Sequence, residues 1–192
     1  MKNKEKTADE IARELRQRLG IDEQRWLDPV TILMKLKREI AGFNYKLVDS
    51  KEVFPALAKW DSVSNRILLC GNSFAAANGF RADGRARFSI FHEAVHALRG
   101  DEGQFNRLHS RAEIPRFAVK LRRLESGTDQ VVAAFMAPRH LIKEEWSPKE
   151  VAFYFGMSLE SATIRLNEVR GSVRQRRDRP AFISELLFDL DK

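Results

Sequence analysis

The sequence contains one cysteine and no long run of apolar residues, and each shortage excludes a class of protein. Cys70 cannot form a disulfide bond within the chain, which fits a reducing compartment, and it ends an apolar run that we expect in the core. No apolar run approaches the roughly 18 residues that a membrane span requires. Residues 1–6 lead into an amphipathic pattern without the apolar core of a secretory signal. We therefore expect a cytoplasmic protein without membrane contact.

Acidic residues are fewer than basic ones, with 27 Asp and Glu against 34 Lys and Arg, and the net charge is +7. This moderate excess permits binding of nucleic acid or of an acidic partner but requires neither, because scattered Lys and Arg usually only solvate a surface. The densest basic cluster, residues 170–179, lacks apolar periodicity and is predicted to be an exposed link. The length of 192 residues suits one core, or one domain with a small appendage.

The pentapeptide His92-Glu93-Ala94-Val95-His96 has the pattern HExxH. Two histidines four residues apart on a helix project from the same face, so both imidazoles can reach one metal ion. Glu93 lies beside them and is placed to take a proton from a metal-bound water, as in a zinc-dependent peptidase. The alternative is an amphipathic helix whose histidines are satisfied by their neighbours. A third ligand would distinguish the two interpretations.

Two glutamates compete for the position of third ligand, which a catalytic zinc site needs in addition to an open position for water. Glu102 lies where one zincin class places this ligand, but Arg99 stands where that class has glycine. Glu125 is followed four residues later by Asp129, so on a helix both share one face. Glu125 would then bind zinc, or another divalent metal such as manganese, while Asp129 holds the second ring nitrogen of a ligand histidine. The alternative is a solvated acidic pair at a helix start.

At this point the residues resemble a known family. The run Arg87-Phe88-Ser89-Ile90-Phe91-His92-Glu93-Ala94-Val95-His96 resembles the RFTLAHELGH signature of the ImmA/IrrE metallopeptidases, and residues 125–138 resemble that family's ExxANxFAAxLLMP segment. In that alignment Glu125 takes the third-ligand position, whereas Val95 stands in place of the usual glycine. The resemblance implies a zinc endopeptidase that cleaves a helix-turn-helix transcriptional repressor and so releases stress-response or mobile-element genes.

The apolar periodicity predicts an α+β fold that is mostly helical, with a small antiparallel sheet beside the HExxH helix. We predict helices over residues 7–19, 29–40 and 124–136, strands over 43–48, 56–60 and 66–70 with a hairpin between the last two, and a loop-rich segment over 71–84.

Residues 146–170 have the pattern of a helix-turn-helix. Ser147-Pro148-Lys149-Glu150 is a capping box that starts one helix, Gly156 provides the turn, and Ser158 caps a second helix. The pattern favours DNA binding, while the alternative is a packing element whose basic residues are only solvated. The ImmA/IrrE proteins carry a similar segment, so the resemblance implies the element with or without DNA contact.

We divide the chain into a zincin-like metallopeptidase domain (1–145), the helix-turn-helix-like element (146–170), and a basic linker with a C-terminal helix (171–192). The rival to the peptidase is a non-proteolytic regulator with a structural metal, which binds DNA through its basic C-terminal region or binds a protein. His109 and His140 have no assigned role. Either could donate to an oxyanion, although a lone histidine is more often structural.

Overall fold

The structure is a computed structural model that describes residues 6–78, 82–100 and 114–171, with side chains from Glu125 onward in the last range. It is a mostly helical α+β fold with one small sheet, which confirms the predicted class. The elements follow in this order: α1 (Ala8–Arg18), α2 (Pro29–Glu39), β1 (Asn44–Val48), α3 (Ser50–Val53), β2 (Ala58–Asp61), β3 (Arg66–Cys70), α4 (Gly71–Asn78), α5 (Gly84–Arg99), α6 (Ile114–Met136), a 3-10 helix (Arg139–Leu141), α7 (Pro148–Phe155) and α8 (Leu159–Val169).

Side-chain caps begin three helices, and at α7 the cap is the predicted capping box of Ser147. Thr7, Asp28 and Ser147 each accept a hydrogen bond from the backbone amide three residues later, and Pro29 and Pro148 occupy the first turn of α2 and α7. A cap satisfies an amide that has no partner within the helix, and proline has no amide to satisfy. These local interactions explain why the starts of α1, α2 and α7 were predictable.

The sheet has the strand order β1-β3-β2. β2 pairs antiparallel with β3, with Ala58 opposite Leu69, which confirms the predicted hairpin. β1 pairs parallel with β3, with Asn44 opposite Arg66, so the sheet is mixed and the expectation of a purely antiparallel sheet is corrected. Apolar alternation does not specify strand direction. The chain through α3 and β2 supplies the crossover that a parallel pair requires.

Helix extends further than the apolar pattern predicts in two places. The first half of the predicted loop over 71–84 forms α4, in which Ala75, Ala76 and Ala77 have high helix propensity and Ala77 is fully buried. α6 begins at Ile114 and not near Leu124. α4 is short and weakly amphipathic and so gives little periodic signal, and its existence depends on packing that the sequence pattern does not display.

α5 lies at the centre of the hydrophobic core and contacts α2, α4, α6 and the sheet. Its buried face includes Ile90, Phe91, Ala94 and Val95, each no more than 1% exposed. Four side chains of α7 and α8 belong to the same cluster: Val151, Phe155, Ala162 and Leu166. The boundary that we predict between residues 145 and 146 therefore divides one continuous core. The predicted linker and C-terminal helix beyond Gly171 lie outside the described residues.

Arg87 connects α5 to three other parts of the fold through its buried guanidinium. The side chain donates hydrogen bonds to the backbone carbonyls of Gly156, Ala77 and Leu27, and it lies 4.0 Å from the ring centroid of Trp26. Burial lowers the pKa of Arg87 to about 10, because removing the guanidinium from water disfavours its charged form. Arg87 therefore fixes the start of α5 against the turn between α7 and α8.

Two more buried arginines join the ends of the chain. Arg16 of α1 donates to the carbonyl of Phe135 at 2.6 Å, near the end of α6. Arg165 of α8 donates to the carbonyl of Ala137 at 2.9 Å and pairs with Asp9 of α1. Carbonyls near the end of a helix lack partners within it, so the two guanidinium groups satisfy acceptors that would otherwise be buried alone.

None of the helices among the described residues combines the length and the apolar character needed to cross a lipid bilayer.

We predict that Gly156→Ala destabilises the protein by about 2 to 4 kcal/mol, measured as the free energy of unfolding in urea. Gly156 has a φ of +63°, and a Cβ there would lie 2.5 Å from Nε of Arg87 and 2.8 Å from the ring of Trp26. Gly20→Ala is the matched control, because Gly20 has a φ of +62° with open space around it. The control should lose only about 1 kcal/mol from backbone strain. Equal losses in both variants would contradict the close packing around Arg87.

Candidate metal centre

α5 presents both histidines of the HExxH motif on its one polar face. Asp83 caps the helix by accepting hydrogen bonds from the amides of Arg85 and Ala86 at 2.8 and 3.2 Å, and Gly100 ends it in the left-handed conformation. The ring centroids of His92 and His96 are 4.7 Å apart in an edge-on arrangement. The helix thus confirms the predicted juxtaposition of the two imidazoles.

α6 packs against α5 and places Glu125 next to the two histidines. Phe91 of α5 packs against Phe135 of α6 with ring centroids 6.2 Å apart, and both side chains are fully buried. Nη1 of Arg99 donates to Oγ1 of Thr128 at 3.2 Å, which joins the C-terminal end of α5 to the turn of α6 that carries Glu125. These two contacts determine the position of α6 along the axis of α5, and so the position of the carboxylate of Glu125.

The three predicted ligands have a geometry that fits a tetrahedral metal ion. Oε2 of Glu125 lies 3.1 Å from Nε2 of His92 and 3.9 Å from Nε2 of His96. One ligand atom from each of the three residues lies within 4.8 Å of the others. Zinc binds nitrogen and oxygen at about 2.0 to 2.2 Å, so tetrahedral ligands lie about 3.4 Å apart. The donor set of two imidazoles and one carboxylate is also one that catalytic zinc uses.

The electrostatic field at this point favours positive charge. Burial of His92 opposes its protonation, but hydrogen bonds to Asp129, Glu125 and Glu93 outweigh burial and raise the pKa of His92 to about 11. Burial also opposes ionisation of Glu125, but hydrogen bonds with His92 and His96 lower the pKa of Glu125 to about 2. A divalent cation would experience the same attraction from these carboxylates.

Glu93 is held between α5 and the sheet. Its Oε2 accepts a hydrogen bond from the backbone amide of Trp60 at 2.6 Å, and its Oε1 lies 3.3 Å from Nδ1 of His92. Trp60 belongs to β2, the strand at one end of the sheet order. The amide therefore orients the carboxylate that the sequence assigns as the base. Sequence reasoning missed this contact because a backbone amide carries no residue-specific signal.

Asp129 faces the same ring nitrogen of His92 as Glu125 does. Its Oδ1 is 3.3 Å from Nε2 of His92, the nitrogen that also faces Glu125, whereas Nδ1 faces Glu93. Asp129 therefore does not hold the second ring nitrogen of His92, and the predicted contact with the second ring nitrogen of a ligand histidine stays a prediction for His96. Four residues separate Glu125 from Asp129, which places both carboxylates on one face of α6 and next to the same nitrogen.

The remaining candidates fall outside this cluster. His140 contacts the carbonyl of Asp22 at 3.3 Å and lies 3.7 Å from Oε1 of Glu23. These three residues form a second group with metal-ligand atoms, but Arg16 donates to the carbonyl of Asp22 and places a positive charge beside it. Cys70 is buried in the core as expected. Glu102 and His109 lie outside the described residues.

α8 occupies the position of a recognition helix in the helix-turn-helix-like element. Its one cationic side chain, Arg165, is only 2% exposed and is bonded to Ala137 and Asp9. The exposed positions include Leu159 and Ile164, each 52% exposed. Contact with DNA phosphates usually requires Lys or Arg on the docking face, and α8 offers none. The exposed residues of α8 therefore give no support to the predicted DNA contact, and most of the basic run after Arg170 lies outside the described residues.

No protein-family model, no curated protein and no solved structure matches the chain. The resemblance to the ImmA/IrrE metallopeptidases therefore stays a prediction from the two motifs.

Proposed function

We propose that this protein is a zinc-dependent endopeptidase. The observation that carries the proposal is the position of Glu125, which lies 3.1 Å and 3.9 Å from Nε2 of the two HExxH histidines although it comes from a different helix. The carboxylate of Glu125 lies near Nε2 of both histidines and not of one alone, which is the arrangement that a shared metal ion requires. Two imidazoles, one carboxylate and an adjacent glutamate are together the parts of a hydrolytic zinc site.

Each residue of the site would have a separate role in the reaction. His92, His96 and Glu125 would hold the metal, which when bound supplies Lewis-acid activation of a water molecule and of the peptide carbonyl. Glu93 would accept a proton from the attacking water and return it to the leaving amine. The amide of Trp60 keeps the carboxylate of Glu93 in place between α5 and β2. Asp129 adds negative charge beside His92 and would strengthen retention of a divalent cation.

The substrate class comes from the resemblance to the ImmA/IrrE family. We propose that a helix-turn-helix transcriptional repressor is cleaved in the cytoplasm, with release of stress-response or mobile-element genes. In this role α7 and α8 stabilise the enzyme, because Val151, Phe155 and Leu166 are buried in its core.

We predict that Glu125→Gln lowers the affinity for zinc by about 100-fold or more, because it removes a charged ligand. Loss of a residue that only hydrogen-bonds to a metal ligand already lowers metal affinity by about 10- to 100-fold. The measurement is competition with a chromophoric chelator at neutral pH. Glu23→Gln is the matched control, since it makes the same change in the second acidic group beside His140. Equal zinc affinities for the two variants would place the metal elsewhere.

We predict that Glu93→Gln keeps zinc affinity close to that of the wild type and lowers cleavage by about 100-fold or more. The amide oxygen of glutamine can still accept the hydrogen bond from Trp60, so the fold around the site is preserved, but the base is lost. The measurement is cleavage of a co-expressed helix-turn-helix repressor, followed by mass spectrometry. Glu160→Gln, an exposed change on α8, is the control.

Cleavage by Glu93→Gln at the wild-type rate would contradict the peptidase proposal. Derepression in cells that express this variant, without any cleavage, would favour the non-proteolytic regulator.

A further inference from the structure

A cavity of about 200 Å³ opens directly beside His92 and Glu93. One wall is the segment from Pro55 to Ala58 that leads into β2, and the other is the polar face of α5. Pockets for drug-sized ligands measure about 300 to 1,000 Å³, so this cavity suits a single amino-acid side chain. A peptide bound at the proposed metal centre would have this cavity beside it.

The wall of the cavity that α5 provides is part of the same helix face that carries the two histidines. Arg85 and Ser89 precede His92 by seven and three residues, so all three project from one side of the helix. Seven residues of helix place Arg85 about 10 Å before His92 along the axis. The cavity therefore has a metal end at His92 and a cationic end at Arg85.

The chemistry of the walls differs along the cavity. Leu57 and Phe88 line it with apolar surface, while Arg85 is exposed and forms no ion pair with a described residue. Asp129 also lines the cavity, but its Oδ1 lies 3.3 Å from Nε2 of His92, so its charge acts at the metal end. An anionic group at the other end would meet a guanidinium that is available for bonding.

We propose that this cavity binds one substrate side chain next to the cleaved bond and that Arg85 selects an acidic one, glutamate in particular. Glutamate has two methylene groups that can lie against Leu57 and Phe88 while its carboxylate reaches Arg85. A lysine or arginine that extends to the Arg85 end of the cavity would meet a like charge, away from the carboxylates of Glu93 and Asp129. This inference rests on the proposed peptidase function and adds to it the class of residue that the site recognises.

The test is cleavage of a mixed peptide pool by the zinc-loaded full-length protein, with cleavage sites read by mass spectrometry. We expect glutamate to be preferred about tenfold over glutamine at one position beside the cleaved bond. Arg85→Glu should transfer the preference to lysine and arginine. Arg13→Glu makes the same change of charge on the exposed face of α1 and should keep the preference for glutamate.

A second readout does not depend on turnover. In the Glu93→Gln background, a labelled peptide with glutamate at the preferred position should bind about tenfold more tightly than its glutamine counterpart, and the added change Arg85→Glu should abolish the difference. Cleavage without a preference for glutamate, or a preference that Arg85→Glu leaves unchanged, would overturn this inference and leave the peptidase proposal standing. Absence of any cleavage by the wild-type protein would overturn both.

Discussion

The buried guanidinium of Arg87 is the interaction on which the position of the candidate site most depends. A charge that is removed from water is tolerated only when its donors have acceptors, and here backbone carbonyls from three separate segments supply them. Asp28 provides part of the counter-charge. Because Arg87 lies five residues before His92 on the same helix, any arrangement that satisfies the guanidinium also fixes where the histidines point.

The second requirement is the relative position of α5 and α6. The ligand atoms of the candidate site come from two helices, and their separations of 3.1 and 3.9 Å leave little tolerance for sliding of one helix along the other. Two contacts between α5 and α6 flank the site along α5: the packing of Phe91 on Phe135, and the hydrogen bond from Arg99 to Thr128. A functional site that is built on rigid helices in this way can be held within about 0.5 Å of its productive geometry.

The sequence predicted the parts of this protein that depend on local chemistry. The starts of α7 and α8 followed from the capping residues Ser147 and Ser158, and Glu125 was identified because an HExxH motif requires a third ligand. The parallel pairing of β1 with β3, the contact between Glu93 and the amide of Trp60, and the side of His92 that Asp129 faces were not predicted. Each of these depends on backbone direction or on side-chain orientation between distant segments, for which residue type and spacing carry no signal.

The arginines that join the two ends of the described chain determine the order in which the protein can assemble during synthesis. Arg16 bonds to a carbonyl 119 residues later, and Arg165 pairs with an aspartate 156 residues earlier. Within the described residues, α1 therefore finds these docking partners only in segments that are synthesised 119 and 156 residues later. Contacts of such long range form slowly because the intervening chain must first be ordered. The candidate metal centre needs Glu125 of α6, so its geometry also depends on a segment that is synthesised well after α1.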